Sequence, residues 1–119
     1  MGVQRTISFP AGEPAWGAVA AKLAEAGERP VVRMIDGLPA FPEEQPEDGW
    51  KELRLGFPAG MVTLRRTPAA WTCTVWGTDD PPLLAAQTLC VWAVASAGNG
   101  LVDTPAGPLP ADRFRTESG

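Results

Sequence analysis

The side chains that enzymes most often use for proton transfer and nucleophilic attack are largely missing from this chain. It contains no histidine and no tyrosine. Without histidine, neither a Ser-His-Asp nor a Cys-His constellation can form, and a histidine-containing zinc site is excluded. Two separated cysteines cannot make a structural zinc site by themselves, since such sites take four ligands. We therefore expect no catalytic residues, no metal and no cofactor, and the sequence favours a protein that is not an enzyme.

The two cysteines, Cys73 and Cys90, both lie in apolar runs. Free cysteine is among the most buried residue types and packs as a small hydrophobe. The surroundings therefore predict two buried thiols, with a disulfide between them as the alternative.

With these sites excluded, carboxylate groups are the side chains that could still act in catalysis or bind a metal ion. Asp79 and Asp80 stand just before a predicted helix, where N-capping and the helix dipole account for them. A second acidic group could bind a hard cation, and consists of Glu43, Glu44, Glu47 and Asp48. Because the glycine-punctuated pattern of a calcium loop is absent, we expect residues 42 to 49 to form a solvated acidic loop. No phosphate-binding glycine motif is present either.

The balance of charge argues against nucleic acid and anionic membranes as partners. With 14 acidic and 10 basic residues, the formal charge is −4. Nucleic-acid affinity requires clustered lysine and arginine to neutralise phosphates, and the chain offers little beyond Arg65 and Arg66. No basic and apolar leader opens the sequence, so the expected compartment is a reducing cytoplasm. The preference for arginine over lysine, with abundant alanine, glycine and proline, suggests a bacterial source with a GC-rich genome.

Length and composition indicate one folded domain. The chain has 119 residues, of which 45% are apolar and 20% are charged. These values are typical of a globular domain. We expect residues 1–119 to form a single domain, with a compact core over residues 1–104 and an extended proline-rich arm over residues 105–119.

Periodicity predicts two helices and six strands. Alternation of apolar and polar residues, or a short apolar run, predicts strands over 3–9, 31–35, 51–57, 61–67, 71–76 and 101–104. Apolar residues at helical spacing predict one helix, which Pro14 opens and Gly27 stops. The almost wholly apolar run from Leu83 to Ala97 predicts a second helix that is buried on most sides, and its length is short for a membrane span.

The order of these elements favours an α+β fold. We expect a mainly antiparallel sheet of five to six strands with both helices packed on one face, in the order β-α-β-β-β-β-α-β. This order is close to the split β-α-β pattern and is predicted to be a ferredoxin-like variant with an inserted strand.

Strand alternation also sorts residues between the two faces of the sheet. The predicted helix-facing set is Ile7, Phe9, Leu53, Leu55, Phe57, Val62, Leu64, Trp71, Cys73 and Val75. The opposite face is polar and rich in threonine, and carries Thr6, Ser8, Glu52, Arg54, Thr63, Arg65, Thr72, Thr74 and Trp76. Such a face is either solvated or a binding surface. Tryptophan and arginine are enriched at interface hot spots, so Arg54, Arg65 and Trp76 are the candidate partner-binding residues.

Two functional hypotheses follow. The first is a small non-enzymatic binding or protein-interaction module that forms a homodimer, because an open sheet has strand edges and a face to cover. The alternative is a small enzyme or ligand carrier with an apolar pocket between sheet and helices. The residues that would line that pocket are Trp71, Trp76, Trp92, Cys73 and Cys90.

Overall fold

The computed structural model describes residues 2–41, 44–47, 49–67, 70–76 and 80–118. Within these residues the chain forms eight strands and three helices. In chain order they are β1 (Gly2–Ser8), α1 (Trp16–Glu25), β2 (Val31–Ile35), β3 (Leu38–Pro39), β4 (Glu52–Phe57), β5 (Gly60–Arg66), β6 (Ala70–Trp76), α2 (Pro81–Gly98), β7 (Leu101–Thr104), β8 (Gly107–Pro110) and α3 (Ala111–Ser118).

All eight strands belong to one antiparallel sheet, which confirms the α+β prediction. The strand order is β3-β2-β4-β5-β6-β1-β7-β8, and every neighbouring pair is antiparallel. It follows that β1 and β2, which α1 connects, run in the same direction with other strands between them. The same holds for β6 and β7, which α2 connects across β1. Both helical connections are therefore split β-α-β units.

The structure corrects the predicted number of elements. Five to six strands and two helices were expected, whereas the described chain adds β3, β8 and α3. Both added strands contain proline, which removes a donor from the ladder and weakens the strand signal in the sequence. Both lie at an edge of the sheet, where a proline is tolerated because only one side of the strand is paired.

Residues 105–118 are folded rather than an extended arm. β8 pairs with β7 through a tight turn, and α3 follows it directly. Phe114 and Ala111 of α3 belong to the hydrophobic core. The arm was expected because three prolines and a glycine precede Phe114, but those residues form the β7–β8 hairpin instead.

The core lies between the sheet and a layer of three helices. On the strands, the buried apolar side chains are Ile7, Val32, Leu53, Leu55, Phe57, Val62, Leu64, Trp71, Cys73, Val75 and Val102. This list contains the whole predicted helix-facing set except Phe9, which is half-buried and packs against the core. The helices contribute Trp16, Val19, Leu23, Leu83, Cys90, Val91 and Val94 among others. The face of the sheet opposite to the helices is called the open face below.

α2 is the central helix, and its position explains its apolar composition. It packs between α1 and α3 and contacts β1, β5, β6 and β7. The Asp80 carboxylate caps it by accepting a hydrogen bond from the Leu83 amide at 3.2 Å, and Pro81 and Pro82 occupy the first turn as predicted. By length and mean hydropathy α2 could cross a membrane, and 44% of its 18 residues are buried inside this fold. The neighbouring Asp79 lies outside the described residues.

One polar side chain is buried under α2 and ties it to the sheet. Gln87 Nε2 donates to the carbonyl oxygens of Val3 at 2.8 Å and of Cys73 at 3.0 Å. Buried polar groups need such partners, because leaving one unpaired costs about 1 to 3 kcal/mol. Gln87 therefore sets the height of α2 over β1 and β6.

Candidate functional site

The three predicted binding residues all lie on the open face. Arg54 is on β4, Arg65 on β5 and Trp76 on β6, each alternating with buried residues that face the helices. The core residues of the sheet and all three helices lie on the other side. The described part of the chain therefore leaves these three side chains exposed on one uncovered surface.

Two arginines lie near one carboxylate on this surface. Glu52 and Arg65 are cross-strand partners, and Glu52 Oε1 lies 3.5 Å from Arg65 Nε and 3.9 Å from Arg54 Nε. The same oxygen is buried and accepts no hydrogen bond from the described residues. Both ion pairs are therefore long contacts through Nε rather than hydrogen-bonded pairs.

Arg33 joins this group from β2. The register of β2 shifts between Val32 and Met34, so Arg33 occupies a bulge. Its side chain lies across Gly56, where a Cβ atom would stand 2.9 Å from Arg33 Nε. Arg33, Arg54 and Arg65 are called the arginine cluster below. With Glu52 as the only nearby acid on these strands, the cluster is a locally positive surface on a chain of formal charge −4.

Trp76 lies flat on the open face and is 70% exposed. Its cross-strand partner is Gly2, and a Cβ atom there would stand 2.9 Å from Cε3 and Cζ3 of the indole. The absence of a side chain at Gly2 thus makes room for the ring. Val31 and Met61 are exposed on the same face, since both pair with Gly56. An indole held in place loses little conformational entropy on binding a partner, which favours an interface anchor.

Arg33, Val31 and Met61 were not among the predicted binding residues. A bulge changes which residue of a strand points to which face, and alternation by itself does not reveal it. Gly56 was the available signal, because a glycine inside a strand often marks a bulge or the close approach of another group.

The structure does not assemble the alternative pocket. Trp71, Cys73 and Cys90 are buried in the core, whereas Trp76 lies on the opposite side of the sheet. Trp92 lies between α2 and α3, where its Nε1 donates to Asp112 at 3.1 Å. Five surface grooves formed by the described residues have none of these five side chains in their walls.

The two cysteines are free and buried, as predicted. Interaction with the Cys90 thiol, together with complete burial, raises the pKa of Cys73 well above its ordinary value. Because the thiolate is the nucleophilic form, Cys73 is unreactive at neutral pH.

A second polar cluster joins the β1–α1 connection to the sheet. Glu13 accepts hydrogen bonds from Trp71 Nε1 at 2.8 Å and from Arg66 at 3.3 Å. Arg66 also donates to the carbonyl oxygen of Trp50 at 3.0 Å, and its guanidinium lies 4.9 Å from the Trp50 ring centroid. The hydrogen bond from Trp71, and then the hydrogen bond and charge of Arg66, lower the pKa of Glu13. The charged groups of this cluster bind each other, so we interpret it as a structural contact.

The Glu13 cluster predicts a specific pH dependence. Because the pKa of Glu13 is lowered in the folded state, its contribution to stability is fully present above the unfolded value of about 4.5 and is lost as pH falls through the folded value. Glu13→Gln keeps an acceptor for Trp71 but removes the charge facing Arg66. We expect the urea midpoint of E13Q to lie below that of the native chain near neutral pH and to converge with it in acid. A gap that stays constant with pH would contradict this.

A groove of about 830 Å³ runs between α2 and α3. Its walls are mainly apolar, and its one charged residue, Arg115, stacks on Trp92 with its guanidinium 4.5 Å from the ring centroid. The groove therefore presents Thr88 and Thr116 as its uncharged polar side chains. This set offers no pair of groups for acid and base catalysis.

The open face presents arginines, threonines and the exposed indole of Trp76. Among the described residues, no three histidine, cysteine or acidic side chains group closely enough to hold a metal ion. Comparisons of the chain with protein-family models, with curated proteins and with solved structures give no match. The arginine cluster and the flat indole of Trp76 are therefore the features from which a function can be inferred.

Proposed function

We propose that this chain is a protein-interaction module that works as a homodimer, with the open face as its interface. The observation that carries the proposal is the uncovered face itself, with Trp76 laid over Gly2 and 70% exposed. The exposed indole shares this face with Arg54 and Arg65, and tryptophan and arginine are the residue types enriched at interface hot spots. A solvated sheet face has no comparable reason to hold a tryptophan in place.

The edges of the sheet are poor alternatives to the face. β3 has two residues, one of them Pro39, and β8 contains Pro108 and Pro110. Short strands and prolines block the pairing of one sheet edge with another. The short edge strands and their prolines therefore favour association through the open face over extension of the sheet from its edges.

The open face has the area that a stable dimer requires. The eight strands contain 42 residues in all, and each strand residue covers about 16 Å² of sheet, from a rise of about 3.3 Å and a strand spacing of about 4.8 Å. The product, about 700 Å², is near the 800 Å² or so that each partner buries in a standard interface. Two such sheets can stack face to face about 10 Å apart. A two-fold axis through this contact would use the same surface on both copies and close the assembly as a dimer.

Sedimentation of a triple variant tests the proposal. Over a range of about 1 to 200 μM, the native chain should reach the mass of a dimer. The R54A/R65A/W76A variant should raise the dimer Kd about 100-fold or more, because it removes the three proposed anchors of the interface. A strictly monomeric native chain, or an unchanged Kd for the triple variant, would refute the proposal.

A matched control removes cations from the opposite side of the molecule. Lys22 lies on α1, and Arg29 follows that helix beside a groove lined by α1 residues. The K22A/R29A variant lowers the positive charge without touching the open face. We expect it to dimerise like the native chain.

A further inference from the structure

Three exposed hydrophobic side chains share one row of the open face. Among the described residues, the exposed large hydrophobic side chains are Val31, Leu38, Phe41, Met61 and Trp76. Gly2 pairs with Trp76, and Gly56 pairs with both Met61 and Val31. Continuing the β5–β6 register from its Thr63–Thr74 pair places Met61 opposite Trp76. Adjacent strands therefore carry a continuous line of residues, called the apolar row below: Val31 on β2, Gly56 on β4, Met61 on β5, Trp76 on β6 and Gly2 on β1.

The apolar row lies at one end of its strands and is centred on β5. Val31 and Gly2 begin β2 and β1, and Trp76 ends β6. Gly56 and Trp76 each lie one strand away from β5, on opposite sides of it. Val31 and Gly2 each lie two strands away, again on opposite sides. Each glycine of the row thus mirrors a larger side chain across β5.

Two planar groups fill the space over the two glycines. The Trp76 indole lies across Gly2, and the Arg33 side chain lies across Gly56, each within 2.9 Å of the place where a Cβ atom would stand. Trp76 is 70% exposed, and Arg33 is exposed as well. The row therefore presents an aromatic ring on one side of β5 and a guanidinium group on the other.

The remaining two exposed hydrophobic side chains belong to a different surface. They lie at the β3 edge beside the acidic loop predicted over residues 42 to 49, in which Glu44 and Glu47 are exposed as expected. Glu43 and Asp48 lie outside the described residues. Glu44 also lines a groove with residues of α1, which places this loop on the helix side of the sheet. The loop therefore takes no part in the open face.

The symmetry of a face-to-face dimer decides which parts of the apolar row can meet. Stacked sheets keep their strands within about 30° of each other, so the two-fold axis between the copies runs either along the strands or across them. An axis across the strands that buried the row would set each residue against its own copy, and Arg33 would face Arg33. An axis along β5 sets Gly56 and the overlying Arg33 against Trp76, and Val31 against Gly2. The second arrangement avoids the like charges and sets small residues against large ones.

We propose that the two-fold axis of the open-face dimer runs along β5, so that Trp76 of each copy stacks on the Arg33 guanidinium of the other copy. The inference rests on the proposed function, since it names the contact that holds that dimer together. A guanidinium over an indole is an attractive cation–π contact, and it strengthens when water is excluded. Met61 meets its own copy at the axis. Arg65 does so too, and the neighbouring Glu52 of each copy offsets the like charges.

Mixing two single variants tests this contact between copies. R33A dimers and W76A dimers each lack both stacked pairs. A heterodimer of R33A with W76A keeps one complete pair, formed by Trp76 of the first copy and Arg33 of the second. Each variant alone should raise the dimer Kd about 10-fold or more. In an equimolar mixture, the heterodimer should exceed its statistical share of about half of all dimers. Sedimentation velocity gives the Kd values, and native mass spectrometry resolves the three dimers by mass.

A mixture of R65A with W76A is the matched control. It removes the same two residue types, but Arg65 lies outside the apolar row, so the heterodimer should form only in its statistical share. Within one copy, β4 and β5 separate the strands of Arg33 and Trp76, which are therefore about 14 Å apart at a spacing of about 4.8 Å. Residues at such a separation do not couple directly. An excess of the R33A–W76A heterodimer thus reports a contact between copies.

The outcomes separate this inference from the proposed function. If W76A weakens the dimer while R33A leaves its Kd unchanged, the open face is the interface but Trp76 does not stack on Arg33. If both variants weaken the dimer and their mixture holds only the statistical share of heterodimer, the stacked pair is refuted and the proposed function stands. A native chain that stays monomeric refutes both proposals.

Discussion

Replacing Trp71 with alanine is expected to lower the free energy of unfolding by about 3 to 5 kcal/mol. Trp71 is fully buried, and its ring meets those of Phe9 and Trp50 edge-to-face with centroids 5.4 and 4.9 Å away. Its removal leaves a cavity and deprives Glu13 of a hydrogen bond. Since small domains are stable by only about 5 to 15 kcal/mol, the variant should unfold at a much lower denaturant concentration. Far-UV circular dichroism in urea measures this without relying on tryptophan emission.

Trp76→Ala is the matched control for Trp71→Ala. Both tryptophans lie on β6, and they face opposite sides of the sheet. Substitutions at exposed positions usually change stability by no more than about 0.5 kcal/mol. Measured at concentrations where the chain is monomeric, W76A should therefore unfold close to the native midpoint. Equal losses in W71A and W76A would show that the assignment of the two faces is wrong.

Phe114→Ala is expected to detach α3 from the rest of the fold. Phe114 is 2% exposed and belongs to the core, and truncating a buried phenylalanine costs about 3 to 5 kcal/mol. A helix of eight residues is not stable in isolation, so α3 depends on this packing. The variant should expose Arg113 and Arg115 to trypsin, and cleavage there should become about 100-fold faster as the free energy of local opening falls.

Phe41→Ala provides the corresponding control, because Phe41 is 79% exposed. We expect its trypsin cleavage at Arg113 and Arg115 to match that of the native chain. An F114A variant that resists trypsin as the native chain does would mean that α3 is held by other contacts, such as the hydrogen bond between Trp92 and Asp112.

Much of the local structure could be predicted from the residues alone. Alternation sorted Leu53, Leu64 and Val75 to the buried face and Arg54 to the open face, because successive side chains of a strand point to opposite sides whatever the strand pairs with. Proline and glycine marked element ends for a similarly local reason. Gly27, with φ +86, follows the C-cap residue of α1 and stops the helix as expected, because residues other than glycine are disfavoured in this left-handed conformation.

The identity of the candidate binding surface was only partly predictable. Arg54, Arg65 and Trp76 follow from alternation, whereas Arg33 entered the cluster through a bulge and a neighbouring strand. The pocket of tryptophans and cysteines considered as the alternative is not assembled, because Trp71 and Trp76 face opposite sides of the sheet from one strand. Proximity in sequence and a shared residue type do not place side chains together.

By itself, the sequence determined which chemistries are excluded, which side chains are apolar at the period of a strand or a helix, and where those elements end. These properties depend on residue types and on the geometry of a few consecutive residues. The tertiary structure alone decided the strand order, the addition of β8 and α3 to the core, and the position of Arg33 across Gly56 on the open face. Those features depend on packing between residues far apart in the chain. The free energy of such contacts cannot be read from a local sequence pattern.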